Sequence, residues 1–227
     1  MTIKPILFNT EMVRAILDGR KTCTRRICKD ANEYTVPDME FYNADKRTYA
    51  VHNFADKKHT EQLSIAERTC PICPGDILYV RETWERFECW KCEGDERGNC
   101  PKEPKKSVLY KTCGCYMYRA TDEIYGDAKW HPSIHMPKEA ARIWLKVTDV
   151  KVERLQNIDG KGCVKEGIEE EPLKHVGEDF VKGMFHDLWD STINKSDIDR
   201  YGWGANPWVW VIEFERCKKP EEDKRCD

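Results

Sequence analysis

The chain has 227 residues, with 38 Lys and Arg against 41 Asp and Glu, so its net charge at neutral pH is only −3. Hydrophobic residues make up 40% of it, which is enough for a core and excludes wholesale disorder and a coiled coil. The longest purely apolar run, 208–212, is far shorter than the roughly 20 residues that cross a bilayer. The first ten residues lack the apolar stretch of a secretory signal. We therefore expect a cytoplasmic protein with no membrane partner.

The predicted elements begin with a short amphipathic helix over residues 12–17, which Asn9 and Thr10 precede as candidate caps and Gly19 closes. A second helical stripe covers residues 180–189. Strand composition or alternation marks six segments: 40–42, 49–51, 77–84, 116–120, 141–152 and 208–215. Irregular segments, and not regular helices, separate these strands. The pattern favours an α+β fold built on a small, mostly antiparallel β-barrel with flanking helices.

A basic turn follows the first helix, at Gly19-Arg20-Lys21-Thr22-Cys23-Thr24-Arg25-Arg26. Residues 1–29 hold seven basic side chains against two acidic ones, a local charge of +5 in a net-negative chain. The side chains that could bind a phosphate are Arg20, Lys21, Arg25 and Arg26. The alternative is that they lie in solvent and complement the helix dipole.

Four blocks in order resemble the ASCH domain family, and more narrowly its prophage-type members. They are residues 19–26, residues 75–84 (GDILYVRETW), residues 166–168 (EGI) and residues 206–214 (NPWVWVIEF). The resemblance implies one PUA-like barrel domain over residues 1–217, followed by a charged tail at 218–227. It also implies a cleft that binds RNA, a modified nucleobase or a nucleoside.

The resemblance further suggests catalysis, because a small bacterial ASCH enzyme hydrolyses cytidine acetylated on its exocyclic amine with a Lys, a Thr and a Glu. The matching positions here are Lys21, Thr24 and Glu166. A Lys can accept the proton of a Thr hydroxyl if burial or neighbouring arginines lower its pKa, and a carboxylate can orient the Lys. The alternative places Lys21 and Thr24 in a surface turn and Glu166 in a solvated acidic run. This chain is also much longer than the small enzymes.

Three further groups of side chains could touch a base. Glu82 and Trp84 share a face of one predicted strand, where the acid could accept from a base edge and the indole could stack. The alternative is a buried Trp84, with Glu82 paired to an Arg such as Arg25. The other two groups are residues 130–137, which hold two His in a proline-braced loop, and the aromatic residues Tyr201, Trp203 and Trp208. The loop fits a structural role better than a binding role, and the three aromatic residues fit either role equally well.

Twelve cysteines in a chain without a secretory signal point to metal ligands and reduced thiols. A Cys-rich insertion at 87–115, similar to a zinc ribbon, supplies five candidate ligands of a structural zinc: Cys89, Cys92, Cys100, Cys113 and Cys115. A competing quartet would join Cys70 and Cys73 to Cys89 and Cys92, provided that the strand between them turns back in a hairpin.

Three functions fit the sequence. The first is a module that binds RNA or a modified nucleoside beside the basic turn. The second is an amidohydrolase that deacylates N-acylated cytidine-type nucleosides. The third is a phage-encoded regulator that binds a host protein through the Cys-rich insertion.

Overall fold

The structure, a computed structural model, describes residues 1–31, 33–88, 105–106, 113–123 and 129–220. The strands are β1 (Ile3–Leu7), β2 (Cys23–Ile27), β3 (Thr35–Asn43), β4 (Thr48–Phe54), β5 (Gln62–Thr69), β6 (Ile77–Arg81), β7 (Trp84–Glu88), β8 (Lys105–Lys106), β9 (Cys113–Tyr118), β10 (Trp144–Arg154) and β11 (Trp208–Cys217). The α-helices are α1 (Thr10–Leu17), α2 (Gly160–Lys165), α3 (Glu171–His175), α4 (Glu178–Thr192) and α5 (Ile198–Tyr201). None of the helices in these ranges is long and apolar enough to span a membrane.

The strands form three sheets. The largest has the order β1-β6-β10-β11-β2, and the two smaller ones have the orders β3-β4-β5 and β7-β9-β8. The pairs β11–β2, β3–β4, β4–β5, β7–β9 and β8–β9 are all antiparallel. The expected α+β class with mostly antiparallel sheets is therefore confirmed. The described strands do not close into a barrel.

The chain divides into two compact units. The first contains residues 1–2, 15–77 and 146–216, and the second contains residues 3–14, 78–145 and 217–227. Strands β6 and β10 both pass from one unit to the other. In the first unit the Val147 N–H of β10 donates to the carbonyl of Asp76, the residue before β6, at 2.9 Å. In the second, the Val80 N–H donates to the Ile143 carbonyl at 3.0 Å.

The core of the first unit lies where strands β2 and β11 pack against α2 and α4. One face of α4 contributes Val181, Phe185 and Trp189 to this core, whereas Phe180 is exposed. The buried cluster also includes Cys23 of β2 and Cys163 of α2. Because this core fixes β2 beside α2, it positions the basic turn next to the end of that helix.

The structure differs from the predicted strands in two ways. The segment 77–84 is not one strand, because β6 ends at Arg81 and the chain then joins another sheet as β7, which pairs with β9. Strands β1, β2, β5 and β8 lie outside the six predicted segments, and residues 23–26 of the predicted basic turn belong to β2. The longest of these four strands is β5. It pairs with β4 along one edge, yet nearly all of its side chains are exposed, including Leu63 and Ile65. An edge strand that buries little has no clear apolar alternation for a sequence to show.

Candidate active site

The start and the end of helix α1 determine where the basic turn lies. The Asn9 side chain caps the helix by accepting from the Met12 N–H at 2.8 Å, as the sequence predicts. Gly19 takes a φ of 80° after the last turn, a conformation that glycine adopts without strain. The chain then folds back, because the Lys21 N–H donates to the Ala15 carbonyl at 2.9 Å. This bond fixes the backbone of Lys21 two residues before β2 begins.

Glu166 lies at the C-terminal end of α2, which Asp159 caps at its start by accepting from the Gly162 N–H at 2.7 Å. The helix ends in a reversed turn, in which Gly167 has a φ of 105° and the Ile168 N–H bonds back to the Cys163 carbonyl at 3.2 Å. A Cβ added at Gly167 would lie 3.0 Å from the Ala15 Cβ. Glycine is thus required here both for its backbone conformation and for the close approach of residues 15–21.

The structure brings Lys21 and Glu166 together inside the first unit. The Lys21 Nζ donates to Glu166 Oε2 at 2.7 Å and also to the Glu166 backbone carbonyl at 2.7 Å. The Lys21 side chain is 0% exposed and that of Glu166 is 3% exposed. Burial lowers the pKa of Lys21, and the attraction of Glu166 only partly opposes this shift. A buried lysine with a lowered pKa has the property that a general base needs.

Arg25 binds the other side of the same carboxylate. Its Nη1 lies 3.2 Å from Glu166 Oε1, while its Nη2 and Nε lie 2.6 Å and 3.2 Å from Glu153 Oε1 on β10. Burial alone would lower the pKa of Arg25, but Glu166 and Glu153 more than offset it and raise the pKa. The Arg25 guanidinium therefore stays charged, and the proton that this group of residues can release belongs to Lys21.

Thr24 is buried in β2, where it pairs with Ile212 of β11. Alternation along the strand places its side chain on the opposite face from Cys23 and Arg25. The Thr24 hydroxyl makes no hydrogen bond to any residue in the described part of the chain. The structure thus shows no hydrogen bond between the Thr24 hydroxyl and the Lys21 amine, so the proposed proton transfer requires a movement that brings the two groups together.

The other nucleophile near this group is held inactive. Burial, together with the charge of Glu166, raises the pKa of the Cys23 thiol to about 12. A thiol with that pKa is almost entirely protonated at neutral pH, and the thiol form is a poor nucleophile. Thr24 is therefore the better candidate for attack on a carbonyl.

The basic side chains of the turn are largely engaged by the protein itself. Arg20 Nη1 donates to the Gly167 carbonyl at 2.8 Å, and its Nη2 lies 3.3 Å from Asp18 Oδ2. Lys21 and Arg25 are buried and paired with carboxylates. Arg26 is half-buried, and burial lowers the pKa of its guanidinium. The charges of Lys21 and Arg25 are thus used inside the unit and do not face a phosphate.

Glu82 and Trp84 are both buried in the second unit. The two Glu82 oxygens accept from Arg142 Nε and Nη2, each at 2.9 Å, and the Arg142 guanidinium lies 4.0 Å from the centre of the Tyr118 ring. The Trp84 ring is buried, 5.2 Å from the ring of His131. Burial raises the pKa of Glu82, against the effect of Arg142. The partner of Glu82 is therefore Arg142 and not Arg25.

The remaining aromatic candidates serve the packing of the first unit. Trp203 packs against the α4 side of the core, with its ring 6.1 Å from that of Phe185. The Tyr201 carbonyl accepts from Trp189 Nε1 at 2.8 Å. The Trp208 ring is covered by the Arg154 guanidinium at 4.4 Å. These contacts fit the structural interpretation of all three residues.

The zinc prediction falls mostly outside the described residues. Cys89, Cys92 and Cys100 lie in ranges that the structure does not describe, only the backbone of Cys113 is described, and Cys115 is half-buried on β9. Cys70 and Cys73 of the competing quartet are buried, and the Cys70 thiol donates to the Ile72 carbonyl at 2.9 Å. Within the described ranges, no group of three or more His, Cys, Asp and Glu side chains could hold a metal.

The sequence did not point to Glu153 as part of the site. It lies just after the predicted strand 141–152, among other charged residues, and its partner Arg25 is 128 residues away. An ion pair between segments that far apart leaves no local signal in one sequence.

No family model matches the chain, and no curated protein or solved structure matches it.

Proposed function

We propose that the protein is an amidohydrolase of the ASCH type, and that it removes the acyl group from the exocyclic amine of N-acylated cytidine-type nucleosides. The observation that carries the proposal is the buried pair of Lys21 Nζ and Glu166 Oε2, 2.7 Å apart. Burial lowers the pKa of this lysine, which favours its neutral form, the form that can accept a proton. The nucleoside class and the PUA-like barrel rest on the sequence resemblance.

The reaction divides into two acyl-transfer steps. The neutral Lys21 amine takes the proton of the Thr24 hydroxyl while Thr24 Oγ1 bonds to the acyl carbonyl carbon. The bond from that carbon to the exocyclic amine then breaks, and the amine leaves with the proton from Lys21. Water next attacks the Thr24 ester with Lys21 again as the base, which releases a carboxylic acid and restores Thr24. Glu166 orients the Lys21 amine throughout.

Binding without turnover is the competing function. It would use the positive charge of the basic turn, but Lys21 and Arg25 already neutralise Glu166 and Glu153. A phosphate would have to displace buried carboxylates from these cations. The third function, capture of a host protein through residues 87–115, depends on a segment that lies mostly outside the described residues.

The decisive experiment compares two substitutions at Thr24, one that removes the hydroxyl and one that keeps it. We expect Thr24→Val, which removes the hydroxyl at nearly constant shape, to abolish deacylation of N-acetylcytidine, and we expect Thr24→Ser to retain it. The neighbouring exposed Thr22 provides the matched control, because Thr22→Val should leave turnover unchanged. Release of cytidine is followed by chromatography over a panel of acylated nucleosides.

Two outcomes would overturn the proposal. The first is wild-type turnover in Thr24→Val, which would remove the nucleophile. The second is an absence of turnover by the wild-type protein with every acylated nucleoside in the panel, and in that case binding of oligonucleotides that weakens with salt would support the binding module instead.

A further inference from the structure

A chain of charged side chains of alternating sign leads from the surface of the first unit to Lys21. It begins at Lys151, whose half-exposed side chain has its Nζ 3.2 Å from Glu153 Oε2. Glu153 Oε1 accepts from Arg25 Nη2 at 2.6 Å, and Arg25 Nη1 reaches Glu166 Oε1 at 3.2 Å. The chain ends with the bond between Glu166 Oε2 and Lys21 Nζ at 2.7 Å.

The two oxygens of Glu166 are thus divided between two cations. A carboxylate that bonded only Lys21 could rotate about its last torsion, because such a terminal torsion is broad. Arg25 prevents this rotation by holding Oε1, and the planar guanidinium is itself held by two bonds to Glu153. The Phe185 ring, 5.9 Å from the Arg25 guanidinium carbon, flanks it.

We propose that Arg25 and Glu153 are positioning residues: Glu153 orients the Arg25 guanidinium, and Arg25 fixes the Glu166 carboxylate so that Oε2 faces the Lys21 amine. This inference deepens the proposed function, on which its catalytic meaning rests. Neither residue touches the reacting atoms. Their effect is on Lys21, because a fixed cation on the far side of Glu166 weakens the hold of that carboxylate on the lysine proton.

The sign of the effect follows from the charges. Removal of the Arg25 charge leaves Glu166 with Lys21 as its remaining cation partner, while Lys151 still pairs with Glu153 and Arg26 still opposes the charge on Lys21. The carboxylate of Glu166 then favours the protonated amine more strongly. In Arg25→Met the pKa of Lys21 should therefore rise. The fraction of neutral Lys21 at a fixed pH below its pKa falls about tenfold for each unit of this rise.

The test measures Lys21 directly and activity separately. The protein is labelled with 15N at lysine Nζ and 13C at Cε, Lys21 is assigned by the loss of its signal in Lys21→Met, and its titration is followed by NMR. We expect the Lys21 titration in Arg25→Met to move to higher pH by about one unit or more, with Arg25→Lys intermediate because one ammonium cannot bridge both carboxylates. Arg154→Met is the matched control, since Arg154 donates to the Asn206 carbonyl and covers Trp208.

The activity measurement uses the pH profile of deacylation. If the proposed function holds, the rise of kcat/KM with pH should shift upward in Arg25→Met by the same amount as the Lys21 titration. An unchanged Lys21 titration in Arg25→Met, or an equal shift in Arg154→Met, would overturn the positioning role. An absence of turnover in all the proteins would overturn the proposed function, while the NMR titration would still decide the role of Arg25.

Glu153 provides the second variant, in case Arg25→Met does not fold. Glu153→Ala removes both bonds that orient the guanidinium but leaves the Arg25 charge in place. We expect broadened or split Lys21 resonances in this variant, because the Glu166 carboxylate is no longer held in one orientation. A single sharp Lys21 signal with wild-type titration in a folded Glu153→Ala protein would show that Glu153 positions nothing.

Discussion

Individual side chains in the first unit differ in what burial does to them. Lys21 is buried with one full countercharge, and burial lowers its pKa. Arg25 is buried with two countercharges, which raise its pKa. The same protein environment therefore favours the neutral form of Lys21 and the charged form of Arg25. This division of roles depends on the number of carboxylates near each cation and not on burial alone.

Away from the candidate site, the buried carboxylate of Asp76 stabilises the fold through five hydrogen bonds. Its carboxylate accepts from Arg47 Nη1 and Nη2 at 2.9 Å and 2.6 Å, from the Thr2 N–H and hydroxyl at 3.0 Å and 2.8 Å, and from the Cys73 N–H at 3.1 Å. Burial alone would raise the pKa of Asp76, but these donors more than offset it and lower the pKa below its usual range.

We predict that Asp76→Asn lowers the free energy of unfolding by about 2 to 3 kcal/mol, because Arg47 loses its countercharge. Since the folded pKa of Asp76 is below its unfolded value of about 4, its contribution is complete above that pH and decreases as the pH falls. Urea unfolding at several pH values measures both effects. The exposed Asp149, changed to Asn, is the control; equal stabilities of the two variants would contradict the prediction.

Among the elements, those with a clear apolar period were predictable from the sequence. Helix α1 buries one stripe, and the structure has both α1 and β11 close to their predicted bounds, although residues 209–212 of β11 are buried on both faces. The segment 77–84 was expected to be one strand because apolar and β-branched residues favour extended structure. Such residues do not indicate which sheet the chain joins. Strand β5 was invisible for the opposite reason, since it pairs through its backbone while its side chains face solvent.

The same contrast applies to the candidate site. The resemblance to the ASCH family pointed to Lys21 and Glu166, which the structure places in contact. The basic pattern of residues 19–26 suggested a phosphate as the partner of Arg25, whereas in the structure its guanidinium bonds to Glu166 and Glu153. A sequence shows which charges are near in the chain, but the partner of a buried cation is decided by which strands and helices meet in the fold.

The end of α2 provides a prediction at the scale of the element. Gly167→Ala should lower the free energy of unfolding by about 1 to 3 kcal/mol, because alanine is strained at a φ of 105° and its Cβ would press on Ala15. Gly183 is the matched control. It lies exposed in α4 with no atom within 4 Å of an added Cβ, so Gly183→Ala should stabilise by about 1 kcal/mol.

Thermal or urea unfolding of the two variants measures this difference. Changes of the same sign in both variants would show that the turn after α2 tolerates a side chain. Because Glu166 precedes Gly167 directly, Gly167→Ala should also weaken deacylation more than the loss of stability explains.

At the scale of the whole molecule, the twelve cysteines still predict a structural zinc. We expect the purified full-length protein to contain about one zinc per chain, as a closed site of four thiolates requires. Cys92→Ser and Cys115→Ser should lose most of it, whereas Cys217→Ser on β11 should retain it. Metal content is measured by inductively coupled plasma mass spectrometry, and a wild-type protein purified without chelator that holds no zinc would refute the prediction.

The complete burial of the Lys21 side chain sets a condition on any catalytic cycle. A substrate can meet this amine only after a neighbouring side chain or the turn after α2 has moved, so turnover must include an opening event. The modification of Lys21 by a small amine-acylating reagent would then report how often that event occurs. The rate of Lys21 acylation, divided by that of the exposed lysines, would measure the fraction of time for which the Lys21 amine is accessible.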